Sequence, residues 1–103
     1  MEHFRANNER VVWIDATFDR TKCIAVYSDR LYEWDYNKYN RCCREVFGNE
    51  GQYFHNRRRE DIEKFLSLYF ERGITLTAII QGCNQGNGYP YWVFFYKDVS
   101  EVK

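Results

Sequence analysis

The sequence predicts an α+β fold of two layers, a four- to five-stranded antiparallel sheet with one or two helices packed on one face. Three observations predict it. Runs of β-branched and aromatic residues lie towards both ends of the chain, helical periodicity occupies the middle, and the resulting order is β-β-(β)-α-α-β-β. The 103 residues suit one domain. We expect a flexible arm at 1–9, the domain at 10–98 and a frayed tail at 99–103.

The first strands are predicted near the N-terminus. Residues 10–18 alternate, so Val12 and Ile14 face one side and Val11 and Trp13 the other, which is typical of a half-buried strand. A turn at residues 19–21 and a β-branched run at 22–28 then favour a hairpin. Residues 31–35 fit a third strand as well as a helical turn.

Two helices are predicted in the middle. Tyr36, Tyr39 and Cys43 begin an apolar series at helical spacing that ends before Gly48, with Asp35 or Asn37 as N-cap. The second helix follows residue 56 and ends at Gly73. Its apolar stripe, which should face the core, consists of Ile62, Phe65, Leu66, Tyr69 and Phe70.

The last two strands are predicted at 74–81 and 89–97, as a hairpin. The second is almost continuously apolar, so both of its faces should be covered. The loop at 82–88 contains three glycines but joins two strands, unlike phosphate-binding loops, which lead into a helix. Its amide side chains could instead form an adaptable binding tip at Asn84, Gln85 and Asn87.

Composition narrows the function classes. Fifteen basic and fifteen acidic residues leave no net charge, which argues against a general nucleic-acid binder. The N-terminus has no apolar signal segment and no run reaches membrane-spanning length, so we expect a soluble protein of the reducing cytoplasm. The four cysteines lack metal-site spacing and should be small buried residues. We expect neither cofactor nor metal.

Arginine and aromatic residues are the best candidates for partner binding. Arg57, Arg58 and Arg59 are adjacent at the start of the second helix, where they could meet a phosphate or an acidic protein surface, or be neutralised by Glu60 and Asp61. Aromatic residues make up 19% of the chain, more than a small core requires. The aromatic candidates for partner contact are Tyr53, Phe54, Trp34 and Tyr36.

Catalytic groups are sparse. His55 could act with Cys83 or Asp15, but no spacing supports either pairing, and a loop histidine is usually a surface residue. We therefore expect no enzyme. A small hydrolase or nuclease built on His55, Asp15 and an arginine is the least favoured alternative.

The leading hypothesis is a protein-binding module that inhibits a larger macromolecular machine by forming a stoichiometric complex. In type, this profile resembles the small single-domain proteins of phages and mobile elements, such as anti-CRISPR and other anti-defence proteins, and toxin-immunity proteins. A nucleic-acid or nucleotide binder that uses the arginines with exposed rings is the alternative. An uncovered strand edge also offers a route to a homodimer.

Overall fold

A computed structural model of the chain contains one five-stranded sheet and two α-helices, which confirms the α+β class. The strands are β1 His3–Ala6, β2 Glu9–Ile14, β3 Cys23–Tyr27, β4 Leu76–Gln81 and β5 Val93–Val99, and the helices are α1 Tyr36–Phe47 and α2 Arg59–Tyr69. The structure describes residues 3–7, 9–15, 17–27, 31–33, 35–52, 54, 57–70, 76–82 and 93–99.

The strand order in the sheet is β1-β2-β4-β5-β3. Three of the four pairings are antiparallel, including the predicted pairing of β4 with β5, but β2 and β4 run parallel, with Trp13 opposite Ile79. The predicted hairpin between β2 and β3 is therefore wrong, because β4 and β5 lie between them. Parallel neighbours need a long crossover, and here the chain between them contains β3 and both helices.

Both faces of the central strands are buried, so β2 is not the half-buried strand that its alternation predicted. One face contributes Val11, Trp13, Ile79 and Phe95 to a core that includes both helices. The other face carries a second buried cluster, which consists of Val12, Ile14, Ala78, Ile80 and Tyr96, with Phe18 packed against it. Phe95 and Tyr96 lie in different clusters, which confirms that both faces of β5 are covered.

The α1 boundaries follow the predicted capping residues. The Asp35 side chain accepts a hydrogen bond from the Lys38 backbone N–H at 3.0 Å, which satisfies one of the donors left free at a helix start. At the other end Gly48 adopts φ 85°, and its N–H donates to the Arg44 carbonyl at 3.1 Å. A residue without Cβ is favoured at that left-handed position.

The predicted apolar stripe of α2 is buried as expected. Ile62, Phe65, Leu66 and Tyr69 all lie in the helix-side core, and Phe70 follows them directly after the helix. The helix ends at Tyr69, earlier than predicted, and Gly73 lies outside the described residues. Residues 57 and 58 precede α2 rather than open it, since Arg58 occupies the N-cap position.

Two further predictions need correction, and one open alternative is resolved. The N-terminal arm contains β1, which pairs with β2 over four residue pairs and ends at the fully buried Ala6. Residues 31–33 form a 3-10 turn, which is the helical one of the two alternatives that the sequence left open, and Leu31 is buried in the helix-side core. The sheet also extends beyond the predicted strand end, because β5 continues to Val99.

Candidate binding site

Tyrosines converge around the first turn of α1. Tyr39 is buried, and its ring meets Tyr32 edge-on with centroids 5.6 Å apart. Further edge contacts to Phe65 at 5.2 Å and Tyr69 at 6.2 Å hold the Tyr39 ring in place. Tyr36, one turn earlier on the same helix, leaves 65% of its surface exposed.

The segment after α1 folds back along the helix. Asn40 accepts a hydrogen bond from the Gly51 N–H at 2.9 Å, and the Tyr39 hydroxyl donates to the Gln52 carbonyl. An exposed ion pair joins Arg44 to Glu50. Because Asn40 and Arg44 are one turn apart, these contacts lie along one side of α1 and place Gly51 beside its first turns.

A pocket of about 210 Å³ lies where these elements meet. Its lining residues are Tyr32, Tyr36, Tyr39, Asn40 and Gly51. Asn40, at 6% exposure, is the only buried amide or charged side chain among the residues whose burial is described. The lining residues carry no formal charge, so the pocket offers ring faces and hydrogen-bonding groups.

The polar groups of the pocket lining can both donate and accept hydrogen bonds. The Gly51 contact uses the amide oxygen of Asn40, which leaves its NH₂ group for an occupant. The Tyr39 hydroxyl already donates to Gln52, whereas the exposed Tyr36 presents its hydroxyl at the rim. The site therefore offers an exposed tyrosine ring together with groups that can donate or accept hydrogen bonds.

The structure separates the three adjacent arginines. Arg57 donates to the side-chain oxygen of Gln52, and its guanidinium lies 4.8 Å from the centroid of the Phe47 ring. Arg57 thus lies beside the segment that borders the tyrosine pocket. Its half-buried side chain supports that segment by hydrogen bonding and by a cation–π contact.

Arg58 and Arg59 make different contacts. Arg58 pairs with Glu60 and lies 3.6 Å from an Asp61 oxygen. For this arginine, the contacts agree with the alternative in which the two acidic residues neutralise its charge. Arg59 packs over the buried Trp13 ring at 4.9 Å, where burial lowers the pKa of its guanidinium and Glu63 partly offsets that shift. The arginines consequently do not present one shared phosphate-binding surface.

Glu63 lies in the same partly buried environment as Arg59. Burial raises the pKa of its carboxyl, while the Trp13 indole and Arg59 oppose that shift. The Trp13 indole nitrogen has no partner of standard hydrogen-bond geometry among the described residues. Arg59 and Trp13 thus join α2 to β2, and Glu63 also lines a second pocket, of about 600 Å³, between β1, α1 and α2.

One aromatic candidate is corrected. Phe54 is fully buried, with its ring 5.0 Å from Phe65 and 5.4 Å from Phe95, so it belongs to the core and cannot touch a partner of the folded chain. Tyr36 has the exposure that a partner contact needs. The remaining candidates, which lie outside the described residues, are Trp34, Tyr53, Asn84, Gln85 and Asn87.

Of the named groups considered for catalysis, only Asp15 lies within the described residues. Asp15 is exposed and accepts hydrogen bonds from the Thr17 side chain and backbone, which lower the pKa of its carboxyl. His55 and Cys83 lie outside the described residues. Within the ranges that are described, no three histidine, cysteine or acidic side chains cluster as metal ligands, and no helix there is long and apolar enough to cross a membrane.

Two of the cysteines take part in the core, as predicted for small apolar residues. Cys42 and Cys43 are buried in α1, and burial raises the pKa of both thiols. Cys43 lies close to the Tyr39 hydroxyl and the Gln52 backbone, which partly oppose the shift. Its side chain therefore supports the pocket from behind.

The sequence alone could not locate the pocket. Tyr36 was a candidate because the chain has more aromatic residues than a small core requires. Asn40 and Gly51 lie eleven residues apart and meet only in the folded chain. The available indication of the pocket was Asn40, a polar residue within the apolar face of a predicted helix. In comparisons with known proteins, no family model, curated protein or solved structure matches this chain.

Proposed function

We propose that the chain is a small intracellular protein-binding domain that inhibits a larger partner by forming a stoichiometric complex. The observation that carries the proposal is the exposed Tyr36 ring at the rim of the tyrosine pocket. A partner side chain that enters the pocket would contact Tyr32 and Asn40 and bury the Tyr36 ring. Inhibition of this kind needs only that a surface be occupied.

Tyrosine suits this role physically. Its ring offers a large contact area with few rotatable bonds, so little conformational entropy is lost on binding. The ring of Tyr39 behind the pocket is held by core contacts on several sides. A pocket that is formed before binding requires little reorganisation, which favours affinity.

The contacts of the arginines favour a protein over a nucleic acid as partner. Phosphate binding relies on cations that can approach the backbone, and its affinity falls steeply with salt. Here Arg58 is paired with acidic neighbours, and Arg57 and Arg59 lie over aromatic rings. A nucleic-acid ligand remains the alternative because bases could stack on exposed tyrosines.

The predicted homodimer would use a sheet edge rather than the pocket. The edge strands are β1 and β3. The Ser67 hydroxyl of α2 lies 3.5 Å from the Arg5 carbonyl of β1, which places a helix beside that edge. Self-association and partner binding can therefore be tested with different variants.

Affinity capture from the native host tests the proposal. Three baits are used: the unaltered chain, Tyr36→Ala, and Leu68→Ala as the matched control. Leu68 is the other large apolar residue that the described structure exposes, at 40%, and it lies on α2 away from the pocket lining. We expect one protein at stoichiometric amount on the unaltered and Leu68→Ala baits, and its loss from Tyr36→Ala.

Two results would contradict the proposal. Equal recovery on all three baits would remove the pocket from the interface. Recovery of nuclease-sensitive material without a stoichiometric protein would favour the nucleic-acid alternative. Circular dichroism of each bait establishes that the substitutions leave the fold intact.

A further inference from the structure

We propose that the second pocket, between β1, α1 and α2, is the interface of a two-fold symmetric homodimer, in which it meets the same surface of a second copy of this chain. The inference does not depend on the proposed function, because the tyrosine pocket takes no part in it. It is carried by an exposed leucine, by opposite charges at the two ends of the pocket, and by the sheet edge beside it.

Part of the second pocket is apolar. Its volume is about 600 Å³, and its apolar lining residues are Phe4, Val46 and Leu68. Phe4 and Val46 pack against the helix-side core, whereas Leu68 leaves 40% of its surface exposed. Contact with a second copy would remove the Leu68 surface from water, and this favours association.

The charged residues of the second pocket are distributed unevenly along α2. Glu60 lies in the first turn of the helix, at one end of the pocket. Arg5 lies beside the last turn, where the Ser67 hydroxyl is 3.5 Å from the Arg5 carbonyl. The other charged lining residues are Glu45, Glu63 and Lys64.

Glu45 belongs to the acidic end of the pocket. It lies near the end of α1, where Phe47 is 4.8 Å from the guanidinium of Arg57, just before α2 begins. The acidic end therefore contains carboxylates from both helices, and the opposite end contains the exposed Arg5.

This distribution makes the pocket complementary to a copy of itself. A two-fold rotation turns the second copy end for end, so the Glu60 end of each pocket meets the Arg5 end of the other. A surface of a single sign would instead repel its own copy. The chain has fifteen basic and fifteen acidic residues, so two copies carry no net charge that would keep them apart.

The sheet edge beside the pocket belongs to the same surface. β1 pairs with β2 on one side, and no described strand pairs with it on the other. Phe4 and Arg5 of β1 line the pocket, so a copy seated there lies against this edge. Unpaired strand edges are common places for one chain to associate with another.

The second pocket and the tyrosine pocket lie on opposite sides of α1. Tyr36 lines one and Glu45 the other, nine positions further along, which is about two and a half turns of a helix. Among the described residues, none lines both pockets. A dimer would therefore present two tyrosine pockets, one on each copy.

Sedimentation equilibrium of the full chain tests the inference, at loading concentrations from roughly 1 to 500 µM. The interface variants are Leu68→Glu, which places a charge at the apolar contact, and Lys64→Glu, which leaves Arg5 as the one cation among the described lining residues. The matched control is Asn37→Glu, which adds a glutamate at an exposed helix position that lines neither pocket. Circular dichroism establishes that each variant is folded.

We expect a monomer–dimer equilibrium with a dissociation constant on the order of 10 µM, weakened roughly tenfold or more in Leu68→Glu and in Lys64→Glu. Asn37→Glu should associate like the unaltered chain. Leu68→Glu should still capture the partner protein, because its tyrosine pocket is unaltered.

Three outcomes overturn the inference. These are a monomer at every concentration, a dimer that both interface variants leave at full strength, and a dimer that Asn37→Glu weakens equally. The proposed function fails separately. Partner capture that does not depend on Tyr36 contradicts the proposed function and leaves the dimer standing, whereas a monomeric chain with Tyr36-dependent capture does the reverse.

Discussion

At the scale of single residues, Tyr39 connects the core to the candidate site. Its ring packs against the aromatic cluster, and its hydroxyl donates to the Gln52 carbonyl. Tyr69 connects α2 to the turn at residues 31–33, since its hydroxyl donates to the Leu31 carbonyl at 2.7 Å. Both hydroxyls fix segments that lie outside the α-helices and strands.

Removal of the Tyr39 hydroxyl should lower stability. Tyr39→Phe keeps the ring contacts but leaves the Gln52 carbonyl without its donor, which should decrease the free energy of unfolding by about 1 kcal/mol. Urea denaturation measures the change. Tyr36→Phe is the matched control, because its exposed hydroxyl can bond water in either state, and a loss as large in Tyr36→Phe would contradict the assignment.

Tyr69 should make stability depend on pH in the alkaline range. Burial raises the pKa of Tyr69 to about 12, and the charge of Asp35 contributes to the shift. The neutral phenol is therefore favoured in the folded chain. Its contribution is complete below the unfolded pKa of about 10 and decreases as pH rises towards 12, because the unfolded chain ionises first.

Tyr69→Phe should accordingly flatten the fall of stability between pH 10 and 12. Unfolding free energies from urea titrations at several pH values measure the slope. Leu68→Ala, which removes no ionisable group, should retain the slope of the unaltered chain. An identical pH dependence in Tyr69→Phe would show that other groups cause the alkaline loss.

At the scale of elements, the helices were the most predictable part of the molecule because their determinants are local. Asp35 caps α1, Gly48 ends it, and the spacing of the α2 stripe gives its buried face. The start of α2 was less predictable. Arg58 lies at its N-cap, and its side chain accepts no hydrogen bond from a backbone N–H of the first turn, so the usual capping chemistry is missing there.

The N-cap of α1 should matter for both stability and binding. Asp35→Ala removes the acceptor of the Lys38 N–H and should destabilise the chain by about 1 kcal/mol. Fraying of the first turn should also displace Tyr36 and weaken partner binding. Thermal unfolding and the capture assay measure the two effects.

Asp35→Asn is the control for that substitution. Asparagine caps helices about as well as aspartate, so most of the stability and binding should return. If Asp35→Ala were as stable as the unaltered chain, the cap would not hold α1 in solution.

At the scale of the whole molecule, the sheet order could not be predicted from local pattern. The alternation of residues 10–18 identified β2 and the two faces of its side chains, but nothing in it specifies β4 as a parallel neighbour. That neighbour is fixed by the crossover through both helices, whose packing is non-local. The pocket escaped prediction for the same reason, since Gly51 reaches Asn40 only after the chain folds back.

β1 was also missed, because four residues give too short a pattern to identify a strand. A chain that begins at residue 7 should lose about 3 kcal/mol or more, since Ala6 is fully buried and Phe4 packs on Trp13 at 6.2 Å. Removal of β1 would also expose β2 as a sheet edge. Urea denaturation measures the loss.

The control for that truncation begins at residue 3 and removes only what precedes β1. It should unfold like the full chain. Equal stability of the chain that begins at residue 7 would instead support the flexible arm that the sequence predicted.

Partner binding at the tyrosine pocket is the central claim, and hydrogen–deuterium exchange tests it most directly. The chain is compared free and saturated with the protein captured by the unaltered bait. We predict that binding slows exchange at residues 31–33, at the first turns of α1 and at residues 49–52. Slowed exchange confined to α2 or to the sheet edges, with the pocket segments unchanged, would contradict the claim.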